Sequence, residues 1–180
     1  METVKQKENK SYKEMKAKYG YKNQMAAPHL VKIVVAVGTG SGIKRDKDRN
    51  KFVMERLAKI TGQKPATRGA KKSIATFKVR MGDQIGVMVT LRGARMYGFL
   101  EKLINVAIPR TKDFRGLERK IVDNIGNMTM SVREHTIFPE TSDEDLKDVF
   151  GFAISIVTTA KTKPEATDFF ELIGIPFKKA

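Results

Sequence analysis

The sequence predicts an α+β protein, a single domain in which a mainly antiparallel β-sheet packs against α-helices. Two periodicities carry that prediction. Ile85, Val87, Val89 and Leu91 alternate with Met88, Thr90 and Arg92, and Phe152, Ile154 and Ile156 alternate with their neighbours, the period of strands that bury one face. Phe52, Val53, Leu57 and Ile60 recur on one helical face, which suits a helix lying on such a sheet. A chain of 180 residues with 41% hydrophobic content is long enough for one core, and no repeat, low-complexity tract or linker divides residues 1–180.

The elements follow in order. Residues 1–24 hold a Lys-rich N-terminal helix whose Tyr12, Met15 and Tyr19 provide one packing face. Leu30 to Val37 is a strand. Asp46 to Thr61 is the amphipathic helix, basic on its outer face, and it stops at Gly62 because glycine takes positive φ freely. Ser73 to Gly93 is expected to be a hairpin in which Phe77, Val79 and Met81 alternate with Lys78 and Arg80, with Gly82 to Gly86 as the turn; residues 71–84 are its basic part. Gly93 to Ala107 is a helix carrying Met96, Phe99, Leu100, Leu103 and Ile104, and it ends before Pro109. Residues 108–148 are loops with an acidic region, opening with the exposed "PRTKDFRGL" and interrupted by a strand over Asn127 to Arg133. After the strand Gly151 to Thr159, a capping box at Thr162-Lys-Pro-Glu165 opens the last helix, which ends at Gly174.

A net charge of +15 exceeds what solubility requires and attracts polyanions, nucleic acid ahead of anionic lipid. No apolar run approaches the roughly 18 to 20 residues that span a bilayer, and Met1 leads into a polar segment, so no membrane partner and a cytoplasmic chain are expected. Without cysteine there are no disulfides, thiolate nucleophiles or cysteine-based zinc sites. The charge is also partitioned. Arg56, Lys59, Lys64, Arg68, Lys71, Lys72, Lys78, Arg80, Arg92 and Arg95 face one acid, Asp83, whereas Glu134, Glu140, Asp143, Glu144, Asp145 and Asp148 face one base, Lys147. Two partners of opposite charge are implied.

The glycine turn "IVVAVGTGSGIKRD" (Ile33 to Asp46) invites a nucleotide-binding reading that its spacing denies. A dinucleotide fingerprint needs G-x-G-x-x-G and an acid about twenty residues on, and neither is present. A Walker loop needs Lys then Ser or Thr after the last glycine, but Ile43, Lys44 and Arg45 follow Gly42. The remaining option is that small residues let a large anion approach the backbone while Lys44 and Arg45 supply charge. Asp46, Asp48 and Asn50 begin like a calcium loop, yet Lys51 and Leu57 stand where glycine and the bidentate glutamate belong. His29 and His135 lack partners at metal-ligand spacing, so no metal, no cofactor and no enzyme are expected.

Three segments in order, "ITGQKPATRGAKKSIATFKVRMGDQIGVMVTLRG" (Ile60 to Gly93), "IPRTKDFRGL" (Ile108 to Leu117) and "MSVREHTIFPE" (Met130 to Glu140), resemble the signatures of the 5S-rRNA-binding L-five family of bacterial large-subunit ribosomal proteins. The similarity runs from about Ser11 to Lys178. The resemblance implies a non-catalytic protein of the central protuberance that rests on 5S rRNA and large-subunit rRNA beside other large-subunit proteins. It implies 5S contacts at Gln63, Thr90 and Arg92, to which Gly38, Gly40, Lys44, Lys64 and Arg68 are added as phosphate-facing neighbours. It places the basic hairpin, with Lys71, Lys72, Lys78 and Arg80, beside peptidyl-site tRNA. It also implies a bridge to a basic protein of the small-subunit head through Arg110, Lys112, Asp113, Asp143, Glu144 and Asp145. One position departs from the family pattern: Ala36 stands where the first strand typically carries an RNA-touching Asn. Two rival readings are a nucleotide-using enzyme and a regulatory RNA-binding protein acting outside the ribosome.

Overall fold

A computed structural model describes residues 2–40, 48–141 and 149–178. Its elements run α1 (Val4–Tyr19), β1 (Leu30–Gly38), α2 (Arg49–Thr61), β2 (Ala66–Gly69), β3 (Gln84–Leu91), α3 (Gly93–Lys102), β4 (Met128–Val132), β5 (Phe152–Thr158) and α4 (Lys163–Ile173), with short 3-10 turns between. The five strands form an antiparallel sheet in the order β2-β3-β1-β5-β4, so the α+β prediction holds. No described helix is long and apolar enough to cross a membrane. The chain falls into two units, one of Met1–Ile33, Arg92–Met130 and Ser155–Ala180, the other of Val34–Leu91 and Ser131–Ile154.

In the first unit α1 packs against α3 and α4. It starts with a capping box, in which Thr3 Oγ1 accepts from Gln6 N and Gln6 Oε1 from Thr3 N, and it ends at Gly20, which is left-handed at φ 67°. Met15 is buried as expected, joined by Val4 and Ser11. Carboxylates fasten the helix: Glu8 accepts from the Leu30 amide (2.9 Å) and the Tyr97 hydroxyl (2.6 Å), and Glu101 from the Val4 amide (2.9 Å). At its far end Tyr19 donates to Asp168 (2.6 Å) and Tyr21 to Glu165. Helix α3 closes with a π turn over Leu103–Ala107, where the Ile108 amide reaches back to Leu103 O at 2.9 Å, just before Pro109.

The capping box expected at α4 does not form. Pro164 sits in the first turn, but Thr162 makes no side-chain cap. Glu165 is drawn instead to the Lys161 amide (2.8 Å) and the Tyr21 hydroxyl, and a carboxylate buried to this degree is kept by the partners that satisfy it best.

In the second unit α2 lies on β3 and buries Val53, Leu57 and Ile60. The start expected at Asp46 lies outside the described residues; from Asp48 the helix runs as predicted to Gly62, at φ 66°. Phe150 stacks on His135 at 4.3 Å between centroids, and Phe52 meets Phe150 edge-on at 6.2 Å. Burying the Phe150 ring contributes about 1.5–3 kcal/mol through the area it removes from water.

The expected hairpin is corrected in its first strand. β3 pairs not with Phe77 to Met81 but with β2, in the register Ala66↔Met88, Thr67↔Val87 and Arg68↔Gly86, with an irregularity at Gly69. Residues 70–83 form a loop pinched at its base by Ala70 N to Asp83 O (2.9 Å) and Gly82 N to Ala70 O (3.0 Å). Inside it Ile74 and Val79 close a miniature hairpin around Lys78, which is left-handed at φ 52°. Phe77 is 65% and Met81 73% exposed. Their alternation marks a shared face that stays largely exposed, whereas the less apolar "ATRG" reaches the edge of β3.

Candidate nucleic-acid interface

In the second unit, β1 and β3 bury Val35, Val37, Val87, Val89 and Leu91 beneath the sheet. Strand alternation puts Ala36, Gly38, Gly86, Met88 and Thr90 on the other face, which is half-open to exposed. Its floor is low. A Cβ on Gly38 would meet no atom within 4 Å, so nothing in the described chain crowds that position. Gly86 lies tight against the neighbouring strand, with Val37 O 3.2 Å from its would-be Cβ. Ala36 is part of this floor and brings no hydrogen-bonding side chain to it.

Polar groups rim the floor. Directly opposed residues of an antiparallel pair share a face, so Arg68 stands on the open side beside Gly86, its Cβ 3.9 Å from that glycine's would-be Cβ. Lys64 is exposed just before β2. Gln63 is anchored by its side-chain amide to Thr90 O at 3.1 Å, and the Thr61 hydroxyl donates to Leu57 O (2.6 Å). Gln63 and Thr90 are therefore brought together as the sequence reading expects, and Gln63 has a structural bond as well. Arg92, the exposed residue at which the first unit's central segment begins, keeps extended angles (φ −141°, ψ 162°) as it leads into α3. At the glycine turn Thr39 N donates to Ile85 O (2.9 Å), and Gly40 packs on Ile85. The Thr39 hydroxyl is buried with no hydrogen-bond partner among the described residues. Lys44 lies outside the described residues.

The second basic feature is the 70–83 loop. Lys71, Lys72, Lys78 and Arg80 are all exposed, and Asp83, the local acid, is spent on the Arg80 amide at 2.7 Å. Sequence reasoning missed that Ile74, Phe77 and Met81 share this exposed loop with the cations, having assigned Phe77 and Met81 to the apolar face of a hairpin strand. It also missed the Arg68–Gly86 pairing. The signal available was Pro65 breaking the chain ahead of a short extended segment.

In the first unit Arg110, Lys112 and Asp113 are exposed on the 109–117 loop, with Asp113 left-handed at φ 54°. The loop is clipped by the C-terminal segment through Leu117 N to Pro176 O (2.8 Å) and Lys178 N to Leu117 O (2.9 Å). Asp143, Glu144 and Asp145 lie outside the described residues.

Known proteins are similar to this one along most of its length. The family model of ribosomal protein L5 matches residues 23–80, and the model of the same family's C-terminus matches residues 84–177. The chain belongs to the ribosomal L5 family. It is 49% identical to the large ribosomal subunit protein uL5 of Desulforamulus reducens over 162 residues, 90% of this chain and 89% of the relative. It is 46% identical to that of Carboxydothermus hydrogenoformans over 165 residues (92% of each) and 43% identical to that of Ureaplasma parvum over 171 (95% and 92%). L5 proteins are structural constituents of the large subunit, so the chain is a ribosomal, non-enzymatic protein that works in the cytoplasm's ribosomes and partners rRNA and other ribosomal proteins.

Proposed function

We propose that this L5-family chain binds 5S rRNA on the open face of β2, β3 and β1, contacts peptidyl-site tRNA through the 70–83 loop, and helps bridge to the small-subunit head. One observation carries the 5S reading: a floor of Ala36, Gly38 and Gly86 rimmed by Arg68, Lys64 and the Gln63–Thr90 pair. A flat floor of small side chains lets a sugar–phosphate backbone come close, and cations at the rim neutralise its charge while amide and hydroxyl groups meet ribose or base edges. Arg92, two residues after Thr90 in the sequence, is the further cation that the family resemblance implies.

The tRNA contact is supported by four exposed cations and three exposed apolar side chains on one pinched loop, a combination suited to phosphates and exposed bases. The bridge rests on sequence and family, with Arg110, Lys112 and Asp113 on an anchored loop and the acidic cluster Asp143, Glu144 and Asp145 repelling RNA and suiting a basic protein. The test of the central claim is binding of full-length protein to 5S rRNA with nucleotide footprinting. Specific protection of 5S nucleotides at physiological salt is expected, and it should be lost when Arg68 and Arg92 are both changed to Gln. Equal affinity for 5S and unrelated RNA, unaffected by that double change, would overturn the assignment and favour a general RNA-binding role outside the ribosome.

A further inference from the structure

Helix α1 carries six lysines between Lys5 and Lys18, and the structure sorts its charges by face. The acids lie off the outer face or are bonded. Glu8 spends both carboxylate oxygens on the Leu30 amide and the Tyr97 hydroxyl. Glu14 lines the groove against α4 with Met15 and Asp168, and Glu2, just before the helix, is bonded to Lys10. Lys18 is bonded to Asp168. What remains outward is Lys5, Asn9, Lys13 and Lys16, all exposed, at steps of four, four and three residues that keep them on one face. No acid interrupts that stripe, and none of its three lysines is ion-paired among the described residues. Tyr12 flanks it, half-buried, with the Lys16 ammonium 5.8 Å from its ring.

We infer that the outer face of α1 is a second RNA-binding surface, which lies along the phosphate backbone of an RNA duplex without reading its sequence. The opposite face is committed to the protein, since Val4, Ser11 and Met15 are buried and the helix packs on α3 and α4. The helix from Lys5 to Lys16 spans about 16 Å at ~1.5 Å per residue, and a nucleic-acid duplex offers a charge every ~1.7 Å of axis, so three lysines can each meet a phosphate. Backbone contact suits the residue types: ammonium groups on flexible stems act as point charges, and the stripe holds no guanidinium fork for base edges. RNA is the occupant because the chain belongs to a ribosomal protein family and so works among rRNA helices. The inference rests on the proposed function for its setting but uses different residues and a different probe.

The experiment titrates salt against binding of the full chain to two probes, a 20-base-pair RNA duplex of arbitrary sequence and 5S rRNA. Lys5, Lys13 and Lys16 are changed together to Gln, and a control changes the exposed Lys22, Lys120 and Lys161, matching the loss of charge. Circular dichroism confirms that α1 remains helical. The stripe variant should flatten the salt slope for duplex binding by about two to three, so that its disadvantage against wild type shrinks about 40-fold between 50 and 200 mM salt, and changing the same lysines to Arg should restore the slope. The control should move it little. An unchanged slope in the stripe variant, or an equal change in the control, would overturn the inference. Failure of 5S recognition while duplex binding still depends on the stripe would count against the proposed function and leave the α1 surface standing.

Discussion

At the residue scale, the arrangement separates side chains that hold the fold from side chains free to meet RNA. Gln63 is bonded to Thr90 O, so Gln63→Ala should lower both RNA affinity and thermal stability. Arg92 is exposed and makes no cap bond to α3, so Arg92→Ala should cost roughly 1–3 kcal/mol of 5S affinity, read by filter binding, with the melting temperature nearly unchanged. Equal stability losses in the two would undo that division. Gly116 illustrates the opposite case. It sits at φ 96° with Lys178 N 2.7 Å from its would-be Cβ, so there is room for neither the conformation nor the atom. Gly116→Ala should destabilise by about 1–3 kcal/mol, seen as a lower denaturant midpoint, and loosen the 109–117 loop that carries Arg110 and Lys112. Gly38→Ala, by contrast, meets nothing within the described chain, and any effect should fall on RNA binding.

At the element scale, α2 and β3 were legible in the sequence because their periodicity coincides with real burial. The first strand of the hairpin was not. Phe77, Val79 and Met81 alternate as a strand does, but pairing is decided by which segment reaches the edge of β3, a long-range fact that no local pattern contains. The open floor was equally hidden, since it depends on Arg68 facing Gly86, and the glycine turn could be excluded as a nucleotide cradle from spacing alone. The α4 capping box failed because Tyr21, distant in sequence, competes for Glu165. That competition belongs to the carboxylate–tyrosine fastenings of α1, which set its pH limits. Burial, with help from the bond to Asp168, pushes the Tyr19 hydroxyl up to about 12, and burial pushes Tyr21 and Tyr97 upward too, aided by Glu165 and Glu8. Burial alone would raise Asp168, but its bonds to Lys18 and Tyr19 win and lower it. A raised tyrosine stabilises the folded state fully below its ordinary value of 10.0 and loses that contribution as pH climbs through about 12. The lowered Asp168 contributes above its ordinary 3.8 and loses its share in acid. Alkaline titration should therefore show phenolate absorbance from these tyrosines appearing late, together with loss of helical ellipticity. If every tyrosine ionised near its ordinary 10.0 with α1 intact, the fastenings would have no energetic weight.

At the scale of the whole molecule, a charge of +15 does not explain itself by its sum. A uniformly basic protein would adhere to RNA everywhere, and screening over about 8–10 Å at physiological salt would leave little to orient it. Partition supplies the direction. On the proposed function, the basic stretch from Arg56 to Arg95, with Asp83 alone against it, would meet RNA, while the segment from Glu134 to Asp148 would be repelled from phosphate and could face a basic protein. Exposed ion pairs are each worth only about 0–1 kcal/mol and weaken with salt, which suits a contact that must break and re-form as subunits move against each other. Changing Asp143, Glu144 and Asp145 together to Lys should therefore weaken subunit joining most at low salt, where the attraction is least screened, and leave 5S binding intact because the RNA-facing cations are untouched. Light scattering of purified subunits carrying the variant reads the joining, and filter binding reads the 5S affinity. Unchanged joining at low salt would remove the acidic segment from any bridge. Weakened joining that persisted equally at high salt would point to apolar packing rather than charge, and would shift attention to the anchored loop that bears Arg110, Lys112 and Asp113.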